Sequence, residues 1–166
     1  MSGTAQRQLR IVIVGAGLSG IMAAIKLQQQ GYRDVVIYEK ADRLGGTWRD
    51  NSYPGVACDI PSHFYSYSFA PNPDWSRQYS PGAEILAYVE RVAAAHGADQ
   101  CIRFAEEVTR CTYSDGRWLL TTSRERNDVA DVLIVATGVT HHLNLPKLAG
   151  LSSFEGACFH SARWDH

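Results

Sequence analysis

The stretch that decides the fold comprises residues 9–20, LRIVIVGAGLSG. Its first half is a continuous apolar and β-branched run, as expected of a central parallel strand that is covered on both faces. Its second half is the pattern G-x-G-x-x-G at Gly15, Gly17 and Gly20, and apolar residues at helical spacing follow it. A strand, a glycine turn and a helix in this order predict a βα unit that binds a dinucleotide.

The three glycines have separate physical roles in such a unit. Gly15 permits the tight turn, Gly17 leaves out the Cβ that would block a pyrophosphate, and Gly20 lets the helix pack close to the strand. The helix N-terminus offers unpaired N–H groups and a partial positive charge to phosphates. We therefore expect this turn to bind the cofactor through Gly15, Gly17, Leu18, Ser19 and Gly20.

The size and charge of the chain restrict the class of protein. Its 166 residues are 45% hydrophobic, which is enough for one compact domain. The formal net charge of −1 gives no basic surface for nucleic acid, and no apolar run reaches the ~18 residues of a membrane span. The cysteines are far apart and form no C-x-x-C pair, which favours free thiols in the reducing cytoplasm and disfavours a metal site.

A second short apolar strand, at residues 34–39, ends on Glu39. Glu39 follows Gly20 by about twenty residues, which is the position of a carboxylate that accepts hydrogen bonds from ribose hydroxyls. A carboxylate there disfavours a 2′-phosphate, so this first site is not expected to bind NADP. Glu39 and Lys40 are therefore candidate cofactor residues, and the alternative is that they begin a solvated loop.

The middle of the chain predicts a further helix and a further strand. Ser80 is expected to cap a helix whose first residue is Pro81, and this helix is expected to end near His96. A third, short parallel strand is predicted at residues 102–104. These elements would extend the βα unit into a larger sheet with helices.

The second half of the chain predicts a small antiparallel meander. Asp115-Gly116 is a strong hairpin signal, and the strands that it joins are expected at residues 107–114 and 117–123. Residues 124–128 carry charges of both signs and are interpreted as a solvated turn. The apolar segment 129–136 is expected to give a third meander strand and a buried strand. The predicted fold is α/β: a Rossmann-like parallel sheet with a βαβ dinucleotide-binding unit and this small antiparallel β-meander.

A second glycine pair, Gly45-Gly46, stands shortly after Glu39 and precedes Thr47-Trp48. Here the sequence resembles flavoprotein monooxygenases with two dinucleotide-binding domains, in which G-G-T-W follows the ribose carboxylate and lies against FAD. An A-T-G turn after an apolar strand is typical of the same class, in which it approaches the FAD. The resemblance therefore implies FAD contacts at Gly46, Thr47, Trp48, Ala136, Thr137 and Gly138.

Residues 53–59, YPGVACD, match the Y-P-G-x-x-C-D segment of Baeyer–Villiger monooxygenases. This resemblance implies that Asp59 is the active-site aspartate near the flavin. A carboxylate there can orient an arginine that stabilises developing negative charge, although that arginine is not identifiable in the sequence. The alternative for Asp59 is a carboxylate that caps a turn. The aromatic residues that follow, Tyr65 among them, form either part of the core or a pocket wall.

Residues 154–165, FEGACFHSARWD, match F-x-G-x-x-x-H-x-x-x-W-[P/D], the fingerprint of the same family. In the family this segment connects the FAD and NADPH domains, and its histidine is linked to domain movement driven by the cofactor. The resemblance thus implies a functional role for His160 at a hinge. Trp164 distinguishes this pattern from the related N- and S-oxidising flavin monooxygenases, which usually carry Phe or Tyr there. The pair His141-His142, which follows the A-T-G turn, lacks a third ligand for a metal.

The resemblance covers residues 9–165 and implies two parts. Residues 1–140 would form the N-terminal, incomplete part of an FAD-binding domain, and residues 141–166 a linker toward an NADPH-binding domain. No second G-x-G-x-x-G follows in the sequence, so that domain is expected in the remainder of the same polypeptide.

The implied activity is Baeyer–Villiger oxidation, in which a ketone becomes an ester or a lactone with FAD as cofactor, NADPH as reductant and O2 as co-substrate. These residues alone are expected to bind FAD without turnover. Two alternatives stay open: an N- or S-oxidising flavin monooxygenase, and a non-catalytic FAD- or nucleotide-binding module.

Overall fold

The computed structural model of the chain describes residues 8–166, so the first seven residues of the predicted domain lie outside it. Its centre is a parallel sheet of four strands, which are β1 (Ile11–Val14), β2 (Val35–Tyr38), β3 (Ile102–Arg103) and β7 (Val132–Val135). The strand order is β3-β2-β1-β7. The predicted Rossmann-like sheet is confirmed, with β1 between β2 and β7.

An antiparallel meander forms the second sheet. It consists of β4 (Val108–Ser114), β5 (Arg117–Thr122) and β6 (Asn127–Ala130), with β5 in the middle. The hairpin between the first two strands turns at Asp115-Gly116, where both residues have positive φ, as a two-residue type I′ turn requires. The predicted meander is therefore confirmed.

Three α-helices accompany the sheets in the described residues: α1 (Leu18–Gln29), α2 (Thr47–Asp50) and α3 (Gly82–Ala95). Helix α1 ends in a Schellman motif, in which Gly31 N–H donates to Gln28 O and Tyr32 N–H donates to Leu27 O. This motif reverses the chain directly into β2 and so sets the spacing between the glycine turn and Glu39.

The parallel sheet is covered on both faces because its side chains alternate. Ile11, Ile13 and Ile37 point into a core under α1 and α3, whereas Val12, Val36 and Tyr38 pack against Leu120 and Ala130 of the meander. The continuous apolar run of β1 therefore has two different partners, helices on one face and a second sheet on the other.

The start of α3 differs from the prediction. The helix begins at Gly82 with Pro81 as its N-cap, so the prediction that Ser80 caps it is wrong. Residues 80–82 instead pair with the preceding loop, through Cys58 N–H to Ser80 O and Gly82 N–H to Val56 O. The buried Ser80 hydroxyl lies 2.6 Å from the Ser62 hydroxyl. Its oxygen is thus used to hold the aromatic loop rather than the helix.

The segment 129–136 is not one buried strand. The chain divides at Asp131, where β6 of the meander ends and β7 of the parallel sheet begins. Strand β7 pairs with β1 alone among the described residues and is partly exposed, with Val135 68% accessible. The prediction of a buried strand is therefore wrong, because a half-covered edge strand and a buried one have the same apolar composition.

The charged run 124–128 is more than a solvated turn. Arg126 Nε donates to the buried Glu106 carboxylate at 2.8 Å. Hydrogen bonds from Arg126 and Thr122 outweigh burial and lower the pKa of Glu106. The run thus closes one end of the meander over a buried carboxylate.

Asp128, at the other end of the same run, holds the two sheets together. Its two oxygens accept from Arg10 Nε and Nη2 at 2.9 and 2.6 Å, and Tyr38 Oη donates to it at 2.7 Å. Arg10 also pairs with Asp34 at the start of β2. Burial raises the pKa of Asp128, but the bonds from Arg10 and Tyr38 outweigh it and bring this pKa to about 2. The ion pair therefore joins β1, β2 and the meander.

We predict that Asp128→Asn lowers the free energy of unfolding by about 1–3 kcal/mol at neutral pH, because it removes the charge that pairs with Arg10. The pKa of about 2 lies below the ordinary value of 3.8, so the contribution of Asp128 is complete above about pH 4 and disappears as the pH falls through about 2. Urea unfolding from about pH 7 to pH 2 measures it.

The matched control is Asp74→Asn, which alters an exposed aspartate in a loop and is expected to change stability by less than about 0.5 kcal/mol. A stability difference between wild type and Asp128→Asn that does not shrink on acidification would contradict the role of the ion pair.

Candidate functional site

A cavity of about 430 Å³ opens at the carboxyl ends of β1, β2 and β7. In open parallel sheets ligands bind outside these strand ends, and the volume suits a small molecule or cofactor. Most residues that the sequence analysis selected line it: Gly15, Gly17, Leu18, Ser19, Glu39, Lys40, Gly46, Thr47, Trp48, Tyr65, Ala136, Thr137 and Gly138. The tertiary structure thus brings together motifs that are more than one hundred residues apart in the sequence.

Three selected residues do not line this cavity. Gly20 lies beneath it, where a Cβ would come within 1.9 Å of the Gly15 carbonyl oxygen. Asp59 is exposed on a bend. His160 accepts the Ala162 N–H through Nδ1 at 3.1 Å and so caps a short 3₁₀ turn. Asp59 and His160 are therefore absent from the lining of the cavity.

The floor of the cavity is backbone. Gly15 has φ +104°, and a Cβ there would meet the Ala136 carbonyl oxygen at 2.6 Å. A Cβ on Gly46 would lie 3.1 Å from Gly17 Cα. The N-terminus of α1, which no side chain caps, begins at this point. These close approaches leave a surface of N–H groups on which a phosphate group fits.

The carboxylate of Glu39 is buried at one side of the cavity and held by three donors. Oε2 accepts the Ala16 N–H at 2.8 Å, and Oε1 accepts the Ala41 N–H at 2.9 Å. Arg49 Nη1 lies 3.2 Å from Oε1. Because each carboxylate oxygen accepts two hydrogen bonds, acceptor capacity remains for a ligand hydroxyl.

Arg49 is a cavity residue that the sequence analysis missed. Its guanidinium donates to both oxygens of Asp50, at 2.8 and 3.1 Å, and to the Arg43 carbonyl at 2.6 Å, besides pairing with Glu39. Burial alone lowers the pKa of Arg49, but Asp50 and Glu39 outweigh burial and raise it. The available signal was its place directly after G-G-T-W, on a helix of four residues that turns it back toward Glu39.

Two aromatic side chains form a wall of the cavity. Trp48 and Tyr65 meet edge to face with ring centres 5.6 Å apart, and Trp48 Nε1 donates to Tyr65 Oη at 3.2 Å. Burial, together with the nearby Cys58 and Asp59, raises the pKa of Tyr65. By contrast, Tyr67 is buried, donates through its hydroxyl to Leu18 O and belongs to the core. The aromatic cluster therefore contributes both to a pocket wall, through Tyr65, and to the core, through Tyr67.

The segment after Gly138 borders the mouth of the cavity. Thr140 Oγ1 lies 3.2 Å from Thr47 Oγ1, and His141 and His142 line the cavity with ring centres 4.0 Å apart. The Nδ1 atom of His141 is buried without a hydrogen-bond partner. Burial, and then the charges of His142 and Lys40, lower the pKa of His141. The sequence pattern suggested a role for this pair only as metal ligands and gave no sign of its place at the cavity.

Other properties of residues 8–166 bear on the class of protein. No helix in this range is long and apolar enough to cross a bilayer. Nor does this range contain a group of three or more His, Cys, Asp or Glu side chains arranged around a possible metal ion. The cysteines Cys58, Cys101, Cys111 and Cys158 are free thiols.

Comparison with known proteins agrees with this geometry. The family model of an NAD(P)-binding Rossmann-like domain matches residues 13–80. An uncharacterized monooxygenase of Mycobacterium tuberculosis (strain ATCC 25618 / H37Rv) is 51% identical over 156 residues, which are 94% of this chain and 32% of the relative. A Baeyer-Villiger monooxygenase of Streptomyces coelicolor is 47% identical over 160 residues, which are 95% of this chain and 31% of the relative.

Solved structures match over the same extent. OTEMO in complex with FAD and NADP has a TM-score of 0.86 and 36% identity, over 95% of this chain and 30% of that one. An open structure of cyclohexanone monooxygenase has a TM-score of 0.86 and 35% identity, over 96% of this chain and 32% of that one. By sequence and by fold, nearly the whole of this chain is similar to Baeyer–Villiger monooxygenases, and it spans about a third of the length of these relatives.

Proposed function

We propose that this chain binds FAD in the cavity at the carboxyl ends of β1, β2 and β7. In the whole protein it would serve as part of an NADPH- and O2-dependent monooxygenase that converts ketones to esters or lactones. The observation that carries the proposal is the convergence of the Gly15–Gly17 turn, Glu39 and the Gly46–Trp48 segment on one cavity.

The residues fit the adenosine diphosphate half of FAD. The bare backbone at Gly15 and Gly17 and the uncapped N-terminus of α1 suit the diphosphate. Glu39 retains acceptor capacity for ribose hydroxyls, and Lys40 lies beside it. Trp48 and Tyr65 would exclude water from the far wall. FAD, when bound, supplies the redox chemistry, and these residues bind and orient it.

NADPH needs a separate site in this proposal. The buried Glu39 carboxylate would repel the 2′-phosphate of NADPH if that cofactor entered the first cavity. We assign residues 1–140 to the FAD-binding domain and residues 141–166 to the linker toward an NADPH-binding domain. The solved relative that binds both FAD and NADP is about three times as long as this chain, in keeping with this division.

Asp59 and His160 have different proposed roles. The charge of Asp59 acts on Tyr65, which lines the cavity, so Asp59 is proposed to act at the flavin end by orienting an arginine from elsewhere in the whole protein. His160 caps the turn in which Phe159 and Trp164 meet edge to face at 5.0 Å. This arrangement supports a hinge role for His160 rather than proton transfer to the substrate.

The proposal also includes the cellular location of the protein. The free thiols, two of them exposed, suit a reducing compartment, and we propose the cytoplasm.

We predict that Gly17→Ala abolishes FAD retention while the protein stays folded. The new Cβ would have only Gly46 Cα nearby, at 3.8 Å, so the free energy of unfolding should change by less than about 1 kcal/mol. The same methyl group would stand between the diphosphate and the α1 N–H groups, so FAD affinity should fall more than about tenfold. Flavin absorbance after purification and a fluorescence titration measure this.

Gly20→Ala is the matched comparison, since its Cβ would come within 1.9 Å of the Gly15 carbonyl oxygen. That variant should lose the fold itself, with a lower melting temperature or no soluble protein. Undiminished FAD binding by Gly17→Ala would refute the proposed site.

We predict that the 166-residue chain loaded with FAD does not consume NADPH in air, with or without a ketone, since the first site excludes the 2′-phosphate.

A chimera tests the whole function: residues 9–165 replace the matching segment of the Streptomyces coelicolor relative, which is 47% identical. The chimera should bind FAD and oxidise NADPH in a ketone-dependent manner, and the same chimera with Gly17→Ala should not.

Ketone-dependent NADPH consumption by the 166 residues alone would overturn the division of sites. A chimera that binds FAD but shows no turnover would instead favour a non-catalytic FAD-binding module. Oxidation of amines or sulfides in place of ketones would favour the N- or S-oxidising alternative.

A further inference from the structure

We propose that Arg49 is a positioning residue that holds the Glu39 carboxylate in the orientation needed to recognise a cofactor ribose. The inference rests on the proposed FAD site and adds to it a residue that neither the glycine motif nor the family fingerprint contains. The carrying observation is a buried ion pair at the wall of the cavity, with Arg49 Nη1 3.2 Å from Glu39 Oε1.

Both partners of this pair are removed from water. The side chains of Arg49 and Glu39 are 7% and 5% exposed. A buried carboxylate without a counter-charge is costly, and it becomes protonated or turns toward water instead. The two backbone donors of Glu39, Ala16 N–H and Ala41 N–H, are neutral dipoles. Arg49 therefore supplies the full positive charge in contact with Glu39, and this charge offsets the cost of burying the carboxylate.

The guanidinium is itself fixed in place. Asp50 accepts from two of its nitrogens, at 2.8 and 3.1 Å, and the Arg43 carbonyl accepts from Nη1 at 2.6 Å. The planar fork of arginine bonds in several directions at once, which a lysine ammonium on a flexible chain does less well. The side chain of Arg49 is thus a rigid brace between helix α2, the preceding loop and Glu39.

The brace connects the two glycine segments of the site. Glu39 Oε2 accepts the N–H of Ala16, which lies in the first glycine turn, and Ala16 O accepts the N–H of Gly45 in the second. Arg49 follows that second glycine pair on α2. A change at Arg49 would therefore move the acceptor oxygens of Glu39 while the diphosphate surface at Gly15 and Gly17 keeps its own backbone contacts.

The experiment measures ribose recognition separately from overall binding. Isothermal titration gives the Kd of ADP and of 2′-deoxy-ADP for each variant, and the ratio of the two Kd values reports the hydrogen bond between Glu39 and the 2′-hydroxyl. A merely structural defect weakens both ligands and leaves the ratio unchanged. Wild type should prefer ADP by about tenfold or more, as expected for a hydrogen bond to a charged group.

Arg49→Met should reduce this preference to about threefold or less, as should Glu39→Gln. Arg49→Lys, which keeps the charge but not the fork, should give an intermediate ratio; if Arg49→Met does not fold, Arg49→Lys decides the test. Arg43→Met is the matched control, because it removes a neighbouring, exposed positive charge while keeping the backbone carbonyl that Arg49 uses. Its ratio should equal that of wild type.

Each outcome has a defined meaning. A wild-type ratio preserved in Arg49→Met or Arg49→Lys overturns the inference and leaves the FAD site standing. If the wild-type protein binds ADP and 2′-deoxy-ADP with equal affinity, Glu39 does not contact the 2′-hydroxyl of the ribose, and the proposed role of Arg49 is overturned. A wild-type protein that binds neither ADP nor FAD overturns the proposed function itself.

Discussion

The structure depends on one close backbone contact, between the first turn of α1 and the glycine turn that leaves β1. A Cβ on Gly20 would lie 1.9 Å from the Gly15 carbonyl oxygen, so no other residue type fits at this crossing. This contact sets the distance from helix to strand. It also leaves the N-terminus of α1 open at the carboxyl edge of the sheet, where a ligand can reach it.

The remainder of the fold keeps that edge in place. Helices α1 and α3 cover one face of the sheet, and the meander covers the other through Leu120 and Ala130. The Arg10–Asp128 pair and the hydroxyl of Tyr38, the last residue of β2, fasten the meander to the parallel sheet. Charged groups therefore join the two sheets through Arg10 and Asp128, and at the cavity they are arranged around a space for a ligand.

At the cavity, the charged side chains that matter most are buried, so each needs a partner within the protein. Glu39 and Arg49 are removed from solvent and satisfy each other together with backbone groups. His141 is the exception, with a buried Nδ1 that has no hydrogen-bond partner within the described part of the chain. Native proteins pair nearly all such atoms. At this site the Glu39 carboxylate is thus already held in place, whereas His141 at the entrance retains a ring nitrogen without a hydrogen-bond partner.

The sequence by itself determined the parallel sheet, the glycine turn, the hairpin at Asp115-Gly116 and the place of Glu39, because each depends on a local pattern of period, spacing or turn chemistry. The cavity residues of the G-G-T-W and A-T-G segments were expected from the resemblance to flavoprotein monooxygenases. Only the tertiary structure decided the N-cap of α3, the division of segment 129–136 at Asp131, and the roles of Arg49, Asp128 and His141. An apolar run gives no sign of which sheet it joins, and a charged residue no sign of its distant partner, because both depend on contacts between segments far apart in the chain.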